Sequence, residues 1–581
     1  MTKNAKLKIA VFCFASILIC GLVFASCSKD NTIKADLVLL NGKIATVDDS
    51  NPYVEAVAVK ADTIIALGSS EEIKKYIGDS TNVIDLKNAF AMPGFIESHA
   101  HLMELGEAQM QLKLQTARNW DEVIEMAAKA RENASLGEWI VGQGWHQDKF
   151  NPKPMPSVEG YPVHNELSNA VPNNPVLFMH ASGHALFANA KAMELAGITK
   201  ETPDPPGGKI VRDSLGNAIG VFEENAMDLI NNVYQKYLDQ RTPEQVILHE
   251  IKSVQLAQDD CLRKGITSFH DAGETFAIID FLKQLADSNE LKIRLNVMVR
   301  DSFQAMQAKL KDYKLYGYGN NHLSVHSIKQ YVDGALGSRG AWLLEPYSDM
   351  PSTSGFNVTP LDYLQSVADL AIQNGFQMCT HAIGDRGNRE VLDIYENTFK
   401  KYPDKKDLRW RIEHAQHLSP QDIPRFAKLG VIAAMQTVHC TSDAVFVPKR
   451  LGDERSKEGA YVWRKLIDSG AVICDGTDAP VEDEDPIKCY YAAVTRKLAD
   501  GSTFYPEEKM TRMEALKSYT TNGAYAAFEE NIKGKLKPGM LADITVLSND
   551  LLTVPDDQIL NTKVLYTIVG GKILYDGIGS R

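Results

Sequence analysis

Two histidines one residue apart, His99 and His101, close the apolar run AMPGFIESHAH (91–101). On a strand, residues i and i+2 share a face, so this pair can grip one metal ion. With 14 His in 581 residues, about 0.3 such pairs arise by chance, so the context matters more than the pair. That context repeats along the chain. His381 ends FQMCTHAIGD (376–385), His414 lies at the end of the strand-like part of RWRIEHAQH (409–417), and Asp478 ends AVICDGTDAP (471–480). Four imidazoles and a carboxylate at strand ends make a donor set for a borderline-soft divalent cation, zinc first and manganese or iron(II) after it. His417 falls in the loop beyond His414. Asp475 points to the strand face opposite Asp478 and reads as structural. Lys329 sits inside the apolar run HSIKQYVDGALG (326–337). A buried ammonium is costly, so this lysine must lose its charge, pair with an acid such as Asp333, or react with carbon dioxide to give a carbamate able to bridge two metals.

Other side chains are candidates for the walls of a pocket. His180 and His184 are four apart without the glutamate of an HExxH motif. Trp145, His146 and His184 can line a pocket from an inserted segment, and His270 with Asp271 ends another apolar run, GITSFHDAG (265–273). Arg339 and Arg386 follow two of the runs and are expected either to hold a substrate carboxylate or to pair with acids on the rim.

The elements that must carry these residues are legible as a repeat. With IRLNVMVR (293–300) and VIAAMQTVH (431–439), eight short apolar runs alternate with helix-like segments such as YLQSVADLAIQNG (363–375). Eight strands with intervening helices predict an α/β fold, a (β/α)8 TIM barrel over 91–524, whose catalytic groups gather at the C-terminal strand ends. The gap between the first two runs is too long for a crossover and predicts an α/β insertion over 110–240 after barrel strand 1, lying over the mouth. Both chain ends read as short strands and turns, for example ADLVLLNGKIATVD (35–48) and KVLYTIVGGKILYDG (563–577). Neither end has strands enough for a stable sheet, so 30–90 and 525–581 are expected to form one composite β-sandwich domain, with Gly570-Gly571 as a hairpin turn.

Taken together, PGFIESHAH, HAIGD, RIEHAQ, GTDAP and GKLKPGMLADITVL resemble the amidohydrolase superfamily. The long insertion and the segment DGALGSRGA are similar to its family-3 branch, which includes N-substituted formamide deformylases. The resemblance covers residues 35–577. It implies that His99 and His101 bind one metal, that His381 and His414 bind another, and that Asp478 is both ligand and proton shuttle. Lys329 matches the position that bears a carboxylated lysine in binuclear members, and one or two ions are both compatible with the resemblance. The activity it implies is hydrolysis of a non-peptide C–N bond, in an amide, formamide or cyclic amide. Hydrolysis of an ester, lactone or carbamate needs the same parts, and a non-catalytic binding lipoprotein is the alternative of another class.

Composition sets the frame. The net charge is −13, 44% of residues are apolar and 24% charged, as in a folded globular protein. The acidic balance and the lack of a basic run argue against a nucleic-acid partner and for a small-molecule substrate. Residues 1–26 read as a signal peptide: Lys3, Lys6 and Lys8, then an apolar stretch from Ile9 to Phe24, then Ala25-Ser26-Cys27. Cys27 is the expected lipidation site, with an uncleaved membrane anchor as the alternative. Either places the protein outside the cytoplasm on a membrane. The five cysteines beyond the leader show no metal spacing and are expected to be buried thiols.

Overall fold

The computed structural model describes residues 33–180 and 185–579. Cys27 and His184 lie outside the described residues. Eight parallel strands form the central sheet: β1 (Phe95–Ala100), β2 (Ile266–Glu274), β3 (Arg294–Val299), β4 (Leu323–Tyr331), β5 (Gln377–Ala382), β6 (Arg411–His414), β7 (Ile432–Met435) and β8 (Ile473–Asp475). Each pairs with the next in sequence order. The ends of the sheet meet beyond the ladder, where Asp478 N–H donates to His99 O (2.7 Å) and His101 N–H to Ala479 O (2.9 Å). The architecture is the expected (β/α)8 barrel. Its strands are nearly continuous buried runs, because helices cover the outer face and side chains fill the lumen.

The run 91–101 is two strands rather than one. Phe90–Pro93 pairs with Ile544–Leu547 and Lys43–Ala45, whereas Phe95–Ala100 enters the barrel. Gly94 makes the break, since a Cβ there would stand 2.2 Å from the Thr267 side chain. The strand before the break belongs to a six-stranded sheet that takes Lys43–Ala45 and Tyr53–Val54 from one end of the chain and Ile544–Leu547, Val564–Val569 and Lys572–Asp576 from the other. A four-stranded sheet from residues 37–85 packs on it through Leu37, Leu39, Val57, Ile544, Val546 and Ile568. Gly570 and Gly571, both at positive φ (53° and 73°), form the two-residue turn between the last two strands. This unit is bolted to the barrel by a buried bidentate pair, Arg294 to Asp543 at 2.7 and 2.9 Å.

Between β1 and β2 the chain builds a second α/β sheet of six strands, from Leu112–Lys113 to Ala218–Glu224, with its own core around Trp120, Trp145, Phe178 and Phe187. The helix Pro243–Arg263, opened by a Thr242/Gln245 capping box, returns the chain to β2. Cys261, Cys379, Cys440, Cys474 and Cys489 are buried and unbridged, and among the described residues no helix is long and apolar enough to cross a membrane.

Candidate active site

His99 is the fifth residue of β1, and His101 follows the strand as N-cap of the helix Leu102–Met110. Lys329 comes from β4, His381 from β5 and His414 from β6, while Asp478 stands three residues beyond β8. All six converge on the C-terminal mouth. Asp478 Oδ1 lies 3.5 Å from His99 Nε2 and 3.3 Å from His101 Nε2. The His414 ring is 4.7 Å from that of His99 and 4.4 Å from that of His381. Ligand atoms of His99, His414 and Asp478 all fall within 4.8 Å of one another. Lys329 Nζ is 3.1 Å from His99 Nε2.

Two of these residues are in the left-handed region, His414 at φ 73° and Asp478 at φ 60°. Such backbone costs about 1–3 kcal/mol per residue and persists only where its surroundings fix it. At Asp478 the fixing contact is its own N–H on His99 O; beyond His414 it is Ala415 N–H on Ala382 O at 3.1 Å. In a regular strand Glu413 and His414 would face opposite sides. The turn at His414 lets both serve the lumen.

The chemistry of the donors suits a divalent cation. Burial holds His99 down to about 4 and His381 to about 3, and pushes His414 well below its ordinary value, so the rings are neutral and able to ligate. Burial works against the Asp478 charge, yet the contact with His101 and the nearby His414 and His99 hold its carboxyl well below the usual range. His381 Nε2 is buried without a hydrogen-bond partner, 3.6 Å from Asp333 Oδ1, a ligating atom left unused by the protein. Burial lowers Lys329 to about 8. Asp333 is not its partner: that carboxylate accepts from the N–H groups of Trp342, Ile383 and Gly384 at 2.8–2.9 Å.

Behind the donors lies a layer that sequence reasoning missed. His99 Nδ1 contacts Glu413 Oε2. Arg411 grips the same carboxylate with Nε at 2.7 Å and Nη2 at 2.8 Å, donates to Ser98 O at 2.7 Å, and reaches His270 Nδ1 at 3.2 Å across the lumen from β6 to β2. Burial opposes the Glu413 charge, but Arg411 and His99 keep its carboxyl far below the ordinary range. His414 Nδ1 is likewise held by Gln436 Oε1 at 2.7 Å. With Nδ1 tied back, each ring presents Nε2 to the centre. The available signal was two charged residues, two apart, inside the apolar run 409–417.

Several pocket candidates lie elsewhere. Trp145 is fully buried in the insertion core with Nε1 donating to Phe178 O (2.9 Å), because its indole fills the space between Trp120 and Phe187. His146 sits beside His180 at 4.6 Å between ring centres, in the insertion. His270 faces the lumen below the mouth and serves Arg411. Arg339 pairs with Asp349 (2.9 Å), and Arg386 pairs with Glu390 and stacks on Trp342, so both guanidinium charges are met by acids of the rim. Asp475 is structural, as expected, and accepts from Thr437 N–H and Oγ1. His417 is buried against Tyr461. His439 is an addition: its ring lies parallel to His414 at 6.4 Å and is held by Gln416.

The model of the amidohydrolase family matches residues 82–575. The chain belongs to the amidohydrolase family. This amidohydrolase is 33% identical over 94% of its length to Protein LONG AFTER FAR-RED 3 of Arabidopsis thaliana, covering 92% of that protein. It is 31% identical to the putative amidohydrolase YtcJ of Bacillus subtilis, over 92% of this chain and 98% of YtcJ. It is 27% identical to the N-substituted formamide deformylase of Arthrobacter pascens, over 94% and 99%. Among solved structures, an uncharacterized metal-dependent hydrolase from Pyrococcus furiosus superposes with a TM-score of 0.70 at 27% identity, over 89% of this chain and all of that one. The protein is thus a metal-dependent hydrolase of the family-3 branch, acting on C–N bonds other than peptide bonds.

Proposed function

We propose that this amidohydrolase cleaves an amide, formamide or cyclic amide with Asp478 as the proton carrier. The observation behind this reading is the Asp478 carboxylate at 3.3–3.5 Å from the Nε2 atoms of His99 and His101, at the lip where β1 and β8 meet. His99, His101, His381, His414 and Asp478 would hold one or two divalent cations, zinc first. When bound, such a cation polarises the scissile carbonyl and brings the ionisation of water toward neutrality. Asp478 accepts the proton that the attacking water gives up and returns it to the departing nitrogen as the C–N bond breaks, so acid and amine leave with protons balanced. Glu413 keeps His99 in one tautomer with Nε2 forward. Lys329, whose amine loses its proton more readily than a surface lysine's, adds to carbon dioxide through Nζ and releases one proton, leaving a carbamate among the imidazoles.

Formamides are the first substrates to try, on the strength of the Arthrobacter pascens relative. The test is a panel of formamides, N-acyl amines, cyclic amides, esters, lactones and carbamates on the zinc-loaded protein. Turnover of amides supports the reading. Turnover of oxygen esters alone would replace it with an esterase or lactonase, and tight binding without turnover would make the protein a binding lipoprotein. The leader places the working enzyme outside the cytoplasm, held on a membrane by a lipid on Cys27.

A further inference from the structure

Arg300 directly follows β3, at the same rim as the donor cluster, and its side chain is exposed. Its backbone N–H is pinned to Glu274 O at 2.8 Å. Its guanidinium lies 4.7 Å from the centre of the Tyr331 ring. Tyr331 in turn neighbours the catalytic cluster, 5.1 Å from the His381 ring and 4.9 Å from Lys329 Nζ. Room for this arrangement comes from Gly273, at φ 131°: a Cβ there would stand 3.1 Å from Arg300 Cδ and 3.3 Å from Lys329 Cγ.

What separates Arg300 from Arg339 and Arg386 is its charge balance. Among the described residues its guanidinium makes no hydrogen bond and no ion pair. The buried Glu274 carboxyl feels Arg300, which draws it down, while burial first and then Asp271 and Glu104 push it up to about 9. A planar fork of donors, set over an aromatic ring and exposed, is suited to a two-oxygen anion.

We propose that Arg300, braced on Tyr331, is a specificity-determining residue that binds a carboxylate on the substrate, several atoms from the scissile bond. The inference rests on the hydrolytic reading above and narrows it: the preferred substrates are acyl derivatives that carry a free carboxylate as well as the bond to be cut.

The test uses matched pairs. Formyl and acetyl derivatives of ω-amino acids with two to six carbons are compared with those of the corresponding alkylamines, and hydroxy-acid esters with esters of the corresponding alcohols. The kind of bond cut tests the proposed function. The ratio of carboxylated to neutral substrate within either series tests Arg300. The wild type is expected to favour the carboxylated member by about 10- to 100-fold in kcat/KM at the best chain length, the range of a charge-assisted hydrogen-bonded pair. Arg300→Gln should erase that ratio, mainly through KM, while neutral substrates keep their rate and so report an intact fold and metal site. Absence of any carboxylate preference in the wild type would overturn the inference whatever the variant does, as would a ratio that survives Arg300→Gln.

Discussion

Asp478 is asked to accept and return a proton, which an amide of the same shape cannot do. Asp478→Asn is expected to cut kcat by roughly 10²–10⁴ with an unchanged circular-dichroism spectrum. His164→Ala, on a side chain in the insertion bonded to Ser168, should leave turnover near normal in the same assay. Glu413 acts through His99 rather than on the substrate. Glu413→Gln should weaken zinc affinity by about 10- to 100-fold, read by competition with a chromogenic chelator, and excess zinc should recover most of the rate. The residues at strand ends were legible in the sequence because each closes an apolar run where barrel enzymes place chemistry. The Arg411–Glu413–His99 chain was not, since it depends on which residues of β6 meet those of β1 and β2 across the lumen. For Arg339 and Arg386 the structure shows the second of the two expected roles, pairing with acids of the rim; Glu390, four residues from Arg386, was near in sequence, whereas Asp349 reaches Arg339 only through the folded loop.

At the scale of elements, the site depends on how β8 returns to β1. Gly476 has no room for a side chain, because a Cβ would stand 2.3 Å from Glu97 Oε1 and 2.7 Å from His99 N. Glu97 is buried there and accepts from Thr477 N–H at 2.9 Å. Gly476→Ala is expected to push the lip apart, lowering stability by about 1–3 kcal/mol in urea denaturation and reducing bound zinc per chain. Full stability with full metal content would show that the lip tolerates displacement. The eight runs were readable because period and length suffice to mark a buried parallel strand. The break at Gly94 was not, since nothing in the local pattern of 91–101 announces that Thr267 of another strand lies against it.

At the scale of the whole molecule, the sheet built from both chain ends is docked through Arg294 and Asp543. Burial opposes the Asp543 charge, but Arg294 holds its carboxyl below its ordinary value. A depressed carboxyl contributes stability that is full above the unfolded value, about 4, and is lost as the pH falls through the folded value. Asp543→Asn should therefore cost about 3–5 kcal/mol at neutral pH, and the gap from wild type should narrow as denaturation is repeated at progressively more acid pH below about 4. A gap independent of pH would remove the ion pair from the account. The pairing of the two chain ends could be anticipated because each end alone has too few strands; the Arg294–Asp543 bolt, 249 residues apart in sequence, could not. For the leader, Cys27→Ala should abolish incorporation of labelled fatty acid and leave a precursor of higher mass. Normal processing in that variant would remove the lipid anchor.

The central claim is that hydrolysis depends on a divalent cation held by His99, His101, His381, His414 and Asp478. The most direct test is to titrate chelator-stripped protein with zinc while following turnover of its best amide. Turnover is predicted to start from nothing, rise in proportion to zinc, and saturate at one or two equivalents per chain. Full turnover in the stripped protein before any zinc is added would contradict it.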